Sequence, residues 1–297
     1  MTPAKAGALA AAASVILAVA AGIALARTPP PESRLPDAHP DALPEVRVLA
    51  PGFEHGAYTL PAPSRFGDGK VWFVRIDPRL VDLEVKAASQ GDRRLRTVAQ
   101  WADPKAATTA VINASMFQDD HLTSIGHFAV RGTVQNPTFA KDQNAMFVTD
   151  PVDPSAAPAA IVDLACGDRD ALVAGWRTRV QSIRMLGCAG ENVWSAQPRL
   201  WSAALVGQDR AGRILFLHVR SPYTMHDLTE MLRTSPLDLV ALHYGDGGPP
   251  AAMYVRSRRF EATYVGSYET GILEDDNNRD LWALPNVLVA TAKKAQP

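Results

Sequence analysis

The 297-residue sequence predicts an α+β fold: one domain, a mixed but mostly antiparallel β-sheet, and few helices. Three observations carry this. Short runs rich in Val, Ile and Phe recur along the chain, several with clean alternation. Only two stretches show helical spacing, and strands and helices do not alternate regularly as β-α-β units require.

The chain opens with an unusual stretch. "KAGALAAAASVILAVAAGIALAR" sets one Lys before about twenty apolar residues and closes on Arg27. A helix apolar all round is not a globular surface helix, so residues 1–27 read as a signal peptide or an N-terminal membrane anchor. Length suits an anchor through residues 7–26, while the Ala-rich composition and "ALA" at its end suit cleavage. Either way the rest of the chain is expected outside the cytoplasm, periplasmic or extracellular. Residues 28–45, "TPPPESRLPDAHPDALPE", are Pro-rich and polar, an extended linker. The folded domain is expected over 46–297.

Strands follow in order. "VWFVRID" (71–77), "VDLEVKAA" (81–88) and "ATTAVINAS" (107–115) come first. "HFAVRGTVQ" (127–135) reads as two strands around an Arg131-Gly132 turn. "AMFVTD" (145–150), "AAIVDLA" (159–165) and "RVQSIRML" (179–186) continue the series. "SAALVGQD" (202–209) and "RILFLHVR" (213–220) flank the turn "DRAG". Leu239 to Tyr244 is a strand, Gly245 to Pro250 a sharp turn, and "AAMYV" a second strand. The helical stretches are "RRLRTVAQWA" (93–102) and "TMHDLTEMLR" (224–233), the latter with Thr224 as cap.

A formal net charge of -1 and no basic tract give no reason to expect nucleic acid, and membrane contact is expected only through the N-terminal segment. The two cysteines, Cys166 and Cys188, would be core thiols in a cytosolic protein; in an exported one they read as a disulfide. Its loop of about twenty residues would contribute roughly 3 kcal/mol on the chain-entropy model. No CxxC or Cys/His cluster suggests a metal, and no cofactor is expected. HExxH, GxSxG and P-loop motifs are absent.

Two stretches remain as sites. In "LHYGDGGPP", Asp246 sits against Gly247 and Gly248, with bare backbone beside a lone carboxylate. That suits acid/base work, although Asp is also favoured in turns for its own hydrogen bonds. In "VINASMFQDDHLTSIGHF", a strand delivers Asn113 and Ser115 to a loop; an amide there suits sugar hydroxyls or phosphate oxygens, or merely a polar turn. "EDDNNRD" (274–280) is densely acidic but lacks the EF-hand spacing and reads as a solvated loop.

Four stretches, in order, resemble the phosphodiester glycosidase family, which also occurs in bacterial envelope proteins: "VINASMF", "VQSIRML", "YGDGGPPAAMYV" and "RDLWALPNVLVA". The resemblance implies hydrolysis of a sugar-1-phosphodiester in envelope or extracellular glycopolymers. Asp246 becomes acid, base or nucleophile at the anomeric carbon. Asn113, Ser115, Gln181, Ser182, Gly247, Gly248 and Arg279 become substrate-binding. The family's Arg before its Ala-x-Gly strand is replaced by Ser202-Ala203, with Arg199 nearby. The signature's closing Gly-Ser is Pro249-Pro250, so a hydroxyl is missing beside Asp246. The alternative is a non-catalytic carbohydrate- or polymer-binding envelope protein on the same fold.

Overall fold

The computed structural model describes residues 44–293, which lie within one compact unit. The expected signal or anchor segment and nearly all of the linker fall outside the described residues. Among the described residues, no helix is long and apolar enough to cross a membrane.

The elements in chain order are β1 (Glu45–Ala50), β2 (Phe53–Thr59), β3 (Lys70–Ile76), β4 (Val81–Ala87), α1 (Val98–Trp101), β5 (Thr109–Asn113), β6 (Phe128–Val130), β7 (Thr133–Asn136), β8 (Ala145–Pro151) and β9 (Ala159–Asp163). There follow α2 (Arg169–Ala174), β10 (Trp176–Ser182), β11 (Trp201–Asp209), β12 (Ile214–Tyr223), α3 (Met225–Arg233), β13 (Leu239–Gly247), β14 (Ala252–Ser257), β15 (Phe260–Val265) and β16 (Asn286–Ala292). They form three sheets, ordered β1-β2-β3-β12-β11-β13, β7-β6-β10-β8-β9 and β15-β14-β5-β16-β4.

Every strand pairing among these residues is antiparallel, so the fold is mostly β with few helices and the expected mixture of directions is corrected. Six of these pairings join strands consecutive in the chain, where a short connection reverses direction, and no helix carries a strand back in parallel. The Arg131-Gly132 turn shows why. Both residues take positive φ, 50° and 84°, which matches the twist of a two-residue hairpin.

The inner faces of all three sheets share one core, with Phe53, Ile112, Phe147, Phe216 and Leu288 fully or nearly fully buried. Each sheet's outer face carries one short helix. Met225, Leu228, Met231 and Leu232 of α3 cover the first sheet, Val173 of α2 the second, and Val98 of α1 the third. The Thr224 hydroxyl caps α3 by accepting from the Asp227 N–H at 3.0 Å. The helix expected over 93–102 shrinks to four residues, because Thr97 supplies a full capping box only at that point and Ala102 is already extended. The strands β1 and β2 are not among those expected; their sequence, "EVRVLAPGFEHGAYT", alternates only over Glu45–Val48 and is then interrupted by Pro51, Gly52 and Gly56.

Candidate active site

The strand β13 does not turn at Gly245 as expected; it runs on through Gly247. Leu205 of β11 pairs with Tyr244, but the next residue, Ala204, pairs with Asp246. Gly245 is therefore an extra residue, a β-bulge, and bulges re-aim the side chain that follows them. Only glycine fits there: a β-carbon would lie 2.8 Å from the Ala204 carbonyl oxygen and 3.0 Å from that of Asn113.

So aimed, the Asp246 carboxyl is partly open to water and otherwise enclosed. Its Oδ1 accepts the Gly247 N–H at 2.9 Å, and its Oδ2 faces the Asn113 amide nitrogen at 3.4 Å. Loss of hydration pushes its pKa up from 3.8 to about 7; the Gly247 and Asn113 contacts oppose the rise, and the charge of Glu269 adds to it. A carboxyl half-protonated near neutrality can give or take a proton.

The surroundings are aromatic and acidic. A β-carbon on Gly247 would sit 2.1 Å from the Tyr244 hydroxyl and 2.4 Å from Trp201 Cδ1, so both rings close over bare backbone. Gly248 takes φ +65°, and a β-carbon there would lie 2.1 Å from Glu269 Oε2. Glu269 arrives on a segment laced to the start of β11: Ser202 N–H donates to the Tyr268 carbonyl at 3.0 Å, and Gly248 N–H to the Ser202 carbonyl at 2.8 Å. Burial raises the pKa of Glu269, and Arg199, 3.5 Å from its carboxylate, opposes the rise. The Arg199 guanidinium also lies over the Trp201 ring, 5.6 Å from its centroid. Trp194 packs on Tyr244 at 5.3 Å, and its carbonyl accepts from His226 of α3 at 2.6 Å. Burial, with the charges of Asp246 and Glu269, holds the Tyr244 phenol protonated well above its usual range.

The sequence-derived residues divide. Asp246, Gly247, Gly248, Asn113 and Arg199 come together. Asn113, though, spends its amide on the fold: its Oδ1 accepts from Ala252 N at 2.8 Å and its Nδ2 donates to the Pro250 carbonyl at 3.1 Å. It positions Asp246. Ser115 bonds Ser124 and Asn286 and is buried. Gln181 uses its whole amide on backbone, accepting from His127 and Ala140 and donating to Ala140 and Gln143. Ser182 donates to the Tyr244 carbonyl and has no exposure. These three brace the strands behind the site, with no polar atom left over for a ligand. Arg279 is exposed and bonds the carbonyls of its own loop, Asp276 and Asn278. That loop is organised by Arg220, which donates to the carbonyls of Asp276, Asn278 and Val265 and pairs with the Asp276 carboxylate at 2.7 Å. An arginine side chain thus anchors the acidic stretch to the body of the domain.

Cys166 and Cys188 form the expected disulfide, with α-carbons 5.7 Å apart. Among the described residues, one cluster of metal-ligating types occurs, Asp163 with these two cysteines, and its sulfurs are already spent in the disulfide. Glu269, Trp201 and Tyr244 were not singled out from sequence. Tyr244 is two residues from Asp246, but nothing in "SYETGIL" marks Glu269.

A family model described as phosphodiester glycosidase matches residues 106–291, the stretch that contains both Asn113 and Asp246. No curated protein matches the chain. Among solved structures it is similar to the zebrafish N-acetylglucosamine-1-phosphodiester alpha-N-acetylglucosaminidase catalytic domain, auto-inhibited by its pro-peptide. The identity is 13%, the TM-score 0.56, and the match covers 85% of this chain and 88% of that one. It is also similar to a hypothetical protein from Synechocystis, at 11% identity and TM-score 0.54, covering 84% of this chain and 64% of that one. At such identities the solved structures speak for the fold, and the family match supplies the rest: this chain belongs to the phosphodiester glycosidase family.

Proposed function

We propose that this protein is an exported hydrolase of glycosyl phosphodiester bonds in envelope or extracellular glycopolymers. The observation that carries the reading is Asp246, a carboxyl raised to about 7 and aimed by a bulge into an aromatic recess beside a second carboxylate. The zebrafish relative's name describes action on a sugar phosphodiester, the same reaction class. In hydrolysis, water bonds to the anomeric carbon as the bond from that carbon to the bridging oxygen breaks. Asp246, protonated, gives its proton to the departing bridging oxygen. The Glu269 carboxylate stabilises the positive charge that develops at the anomeric carbon, or takes the proton of the attacking water. Arg199 is the cation available to the phosphate oxygens, taking the place of the arginine that Ser202-Ala203 lacks. Trp194 and Trp201 offer ring faces to the sugar.

Expression with the native leader, followed by fractionation, tests export. A panel of sugar-1-phosphodiesters, assayed for released sugar and phosphomonoester, tests the chemistry. Turnover by the wild type, lost in Asp246→Asn, is expected. A wild type that turns over none of them, yet binds the sugars, favours the non-catalytic reading, which Pro249-Pro250 in place of a hydroxyl supports.

A further inference from the structure

A cleft of about 1600 Å³ opens between the edge strand β1 and the third sheet, well away from Asp246. Asn113, beside Asp246, ends β5; Thr108, which lines the cleft, precedes its first residue. Five residues of extended chain separate them by about 17 Å. The cleft exceeds the roughly 300–1,000 Å³ of small-molecule pockets.

Its charge is lopsided. Ten of its lining residues are charged, seven basic and three acidic. Three of the basic residues have acidic neighbours: Arg79 pairs with Asp77 at 2.8 Å, Lys86 with Glu84 at 3.9 Å, and Lys293 with Asp82 at 4.0 Å. The other four, Arg47, Lys105, Arg258 and Arg259, are exposed and have no carboxylate partner among the described residues. Arg47 reaches across the gap between sheets, its guanidinium 5.1 Å from the centre of the Phe260 ring. Unpaired cations around one large cleft attract a ligand carrying repeated negative charge. Its cations lie on both sides of the gap, Arg47 on β1 and Arg258 with Arg259 at the β14–β15 turn, so a thin chain can lie between them.

We infer that this cleft holds an anionic polymer, a chain of sugar or polyol units joined by phosphodiesters, at a site separate from Asp246. A chain that long spans cleft and active site together, so the cleft would retain the polymer between cleavages. Polymer binding does not depend on the hydrolase reading, whereas any effect on turnover rests on it.

The test compares the wild-type chain with the triple variant Lys105→Ser, Arg258→Ser, Arg259→Ser. All three positions are exposed, and the two arginines occupy the β14–β15 turn, so folding is spared; equal melting temperatures check this. The probe is fluorescently labelled poly(glycerol phosphate), followed by anisotropy between about 0.05 and about 0.5 M salt, with dextran as the uncharged control. Expected are salt-sensitive binding by the wild type, affinity about tenfold weaker in the variant at low salt, and no dextran binding. If hydrolysis is found, KM for polymer rises in the variant while kcat and the constants for a small sugar-1-phosphodiester stay put. Equal polymer affinity in both proteins, or none in the wild type, overturns the inference whether or not hydrolysis is found. So does a variant that loses binding to vesicles of anionic phospholipid while keeping polymer affinity, which would make the cleft a membrane contact.

Discussion

Replacing Asp246 with Asn should make the protein more stable at alkaline pH and far less active at every pH. Burial favours the protonated carboxyl, so the folded chain keeps a proton that the unfolded chain releases between its ordinary 3.8 and about 7. The folded state binds more protons across that window, and its stability falls as pH rises through it, then levels off. Three pKa units at about 1.4 kcal/mol each give about 4 kcal/mol as a ceiling. Part of the carboxyl is open to water, and about 2 kcal/mol is a fairer figure. Asn keeps the shape, still accepts the Gly247 N–H and carries no charge, so it avoids this cost. Urea melts of both proteins from pH 4 to 8 measure the difference, in which titrations not coupled to Asp246 cancel and that of Glu269 does not. Near pH 4 the two should agree within about 0.5 kcal/mol; at pH 8 the variant should lead by about 2 kcal/mol, or about 4–8 °C in Tm. Turnover should fall by about 10²–10⁴-fold. A stability difference that stays flat between pH 4 and 8 would refute the claim that this carboxyl is held neutral by its surroundings.

Removing Glu269's charge with Glu269→Gln should lower the Asp246 pKa, moving the alkaline limb of the pH–rate profile toward acid, and should slow turnover; an unmoved limb would separate the two carboxyls. Asn113→Ala should shift the same limb toward alkaline pH, since the amide's hydrogen bond now lowers that pKa, and should cost about 1–3 kcal/mol by stranding the Ala252 N–H, read by denaturant melts. Gly247→Ala pushes a methyl group into Tyr244 and Trp201, and is expected to cost about 1–3 kcal/mol and most of the activity. Thiol titration of the native protein should find no free sulfhydryl, and Cys166→Ser with Cys188→Ser should cost about 3 kcal/mol for a loop of 22 residues.

What the sequence reveals follows from how locally each feature is determined. Asp246 is legible because its glycines stand beside it. Its aim is not, because the bulge exists only relative to β11, and register is a property of two strands. Gln181 and Ser182 are legible as a motif yet misread as ligand groups; a buried amide that satisfies four backbone groups and an amide that binds substrate look alike in one dimension. Glu269 escapes notice because what places it is the pairing of its segment with residues 200–202, about seventy positions earlier. The helix α3 is legible to within a residue, having its cap, its spacing and its buried face all in one stretch.

The place of β16 in the third sheet bears on how the protein is made. The strand comes last in the described chain and lies between β5 and β4, one strand in from the edge of its sheet. The edge strand β4 has no partner in this sheet until residues 286–292 have been synthesised, and β5, which can pair with β14 from residue 252, lacks its second partner until then. Pairings of such long range form slowly and leave unpaired edges exposed in the meantime. For a chain passing through a membrane unfolded this delay is useful, since the sheet cannot close early and block passage. The same feature makes truncation after residue 285 a removal of the sheet's interior and not of its rim.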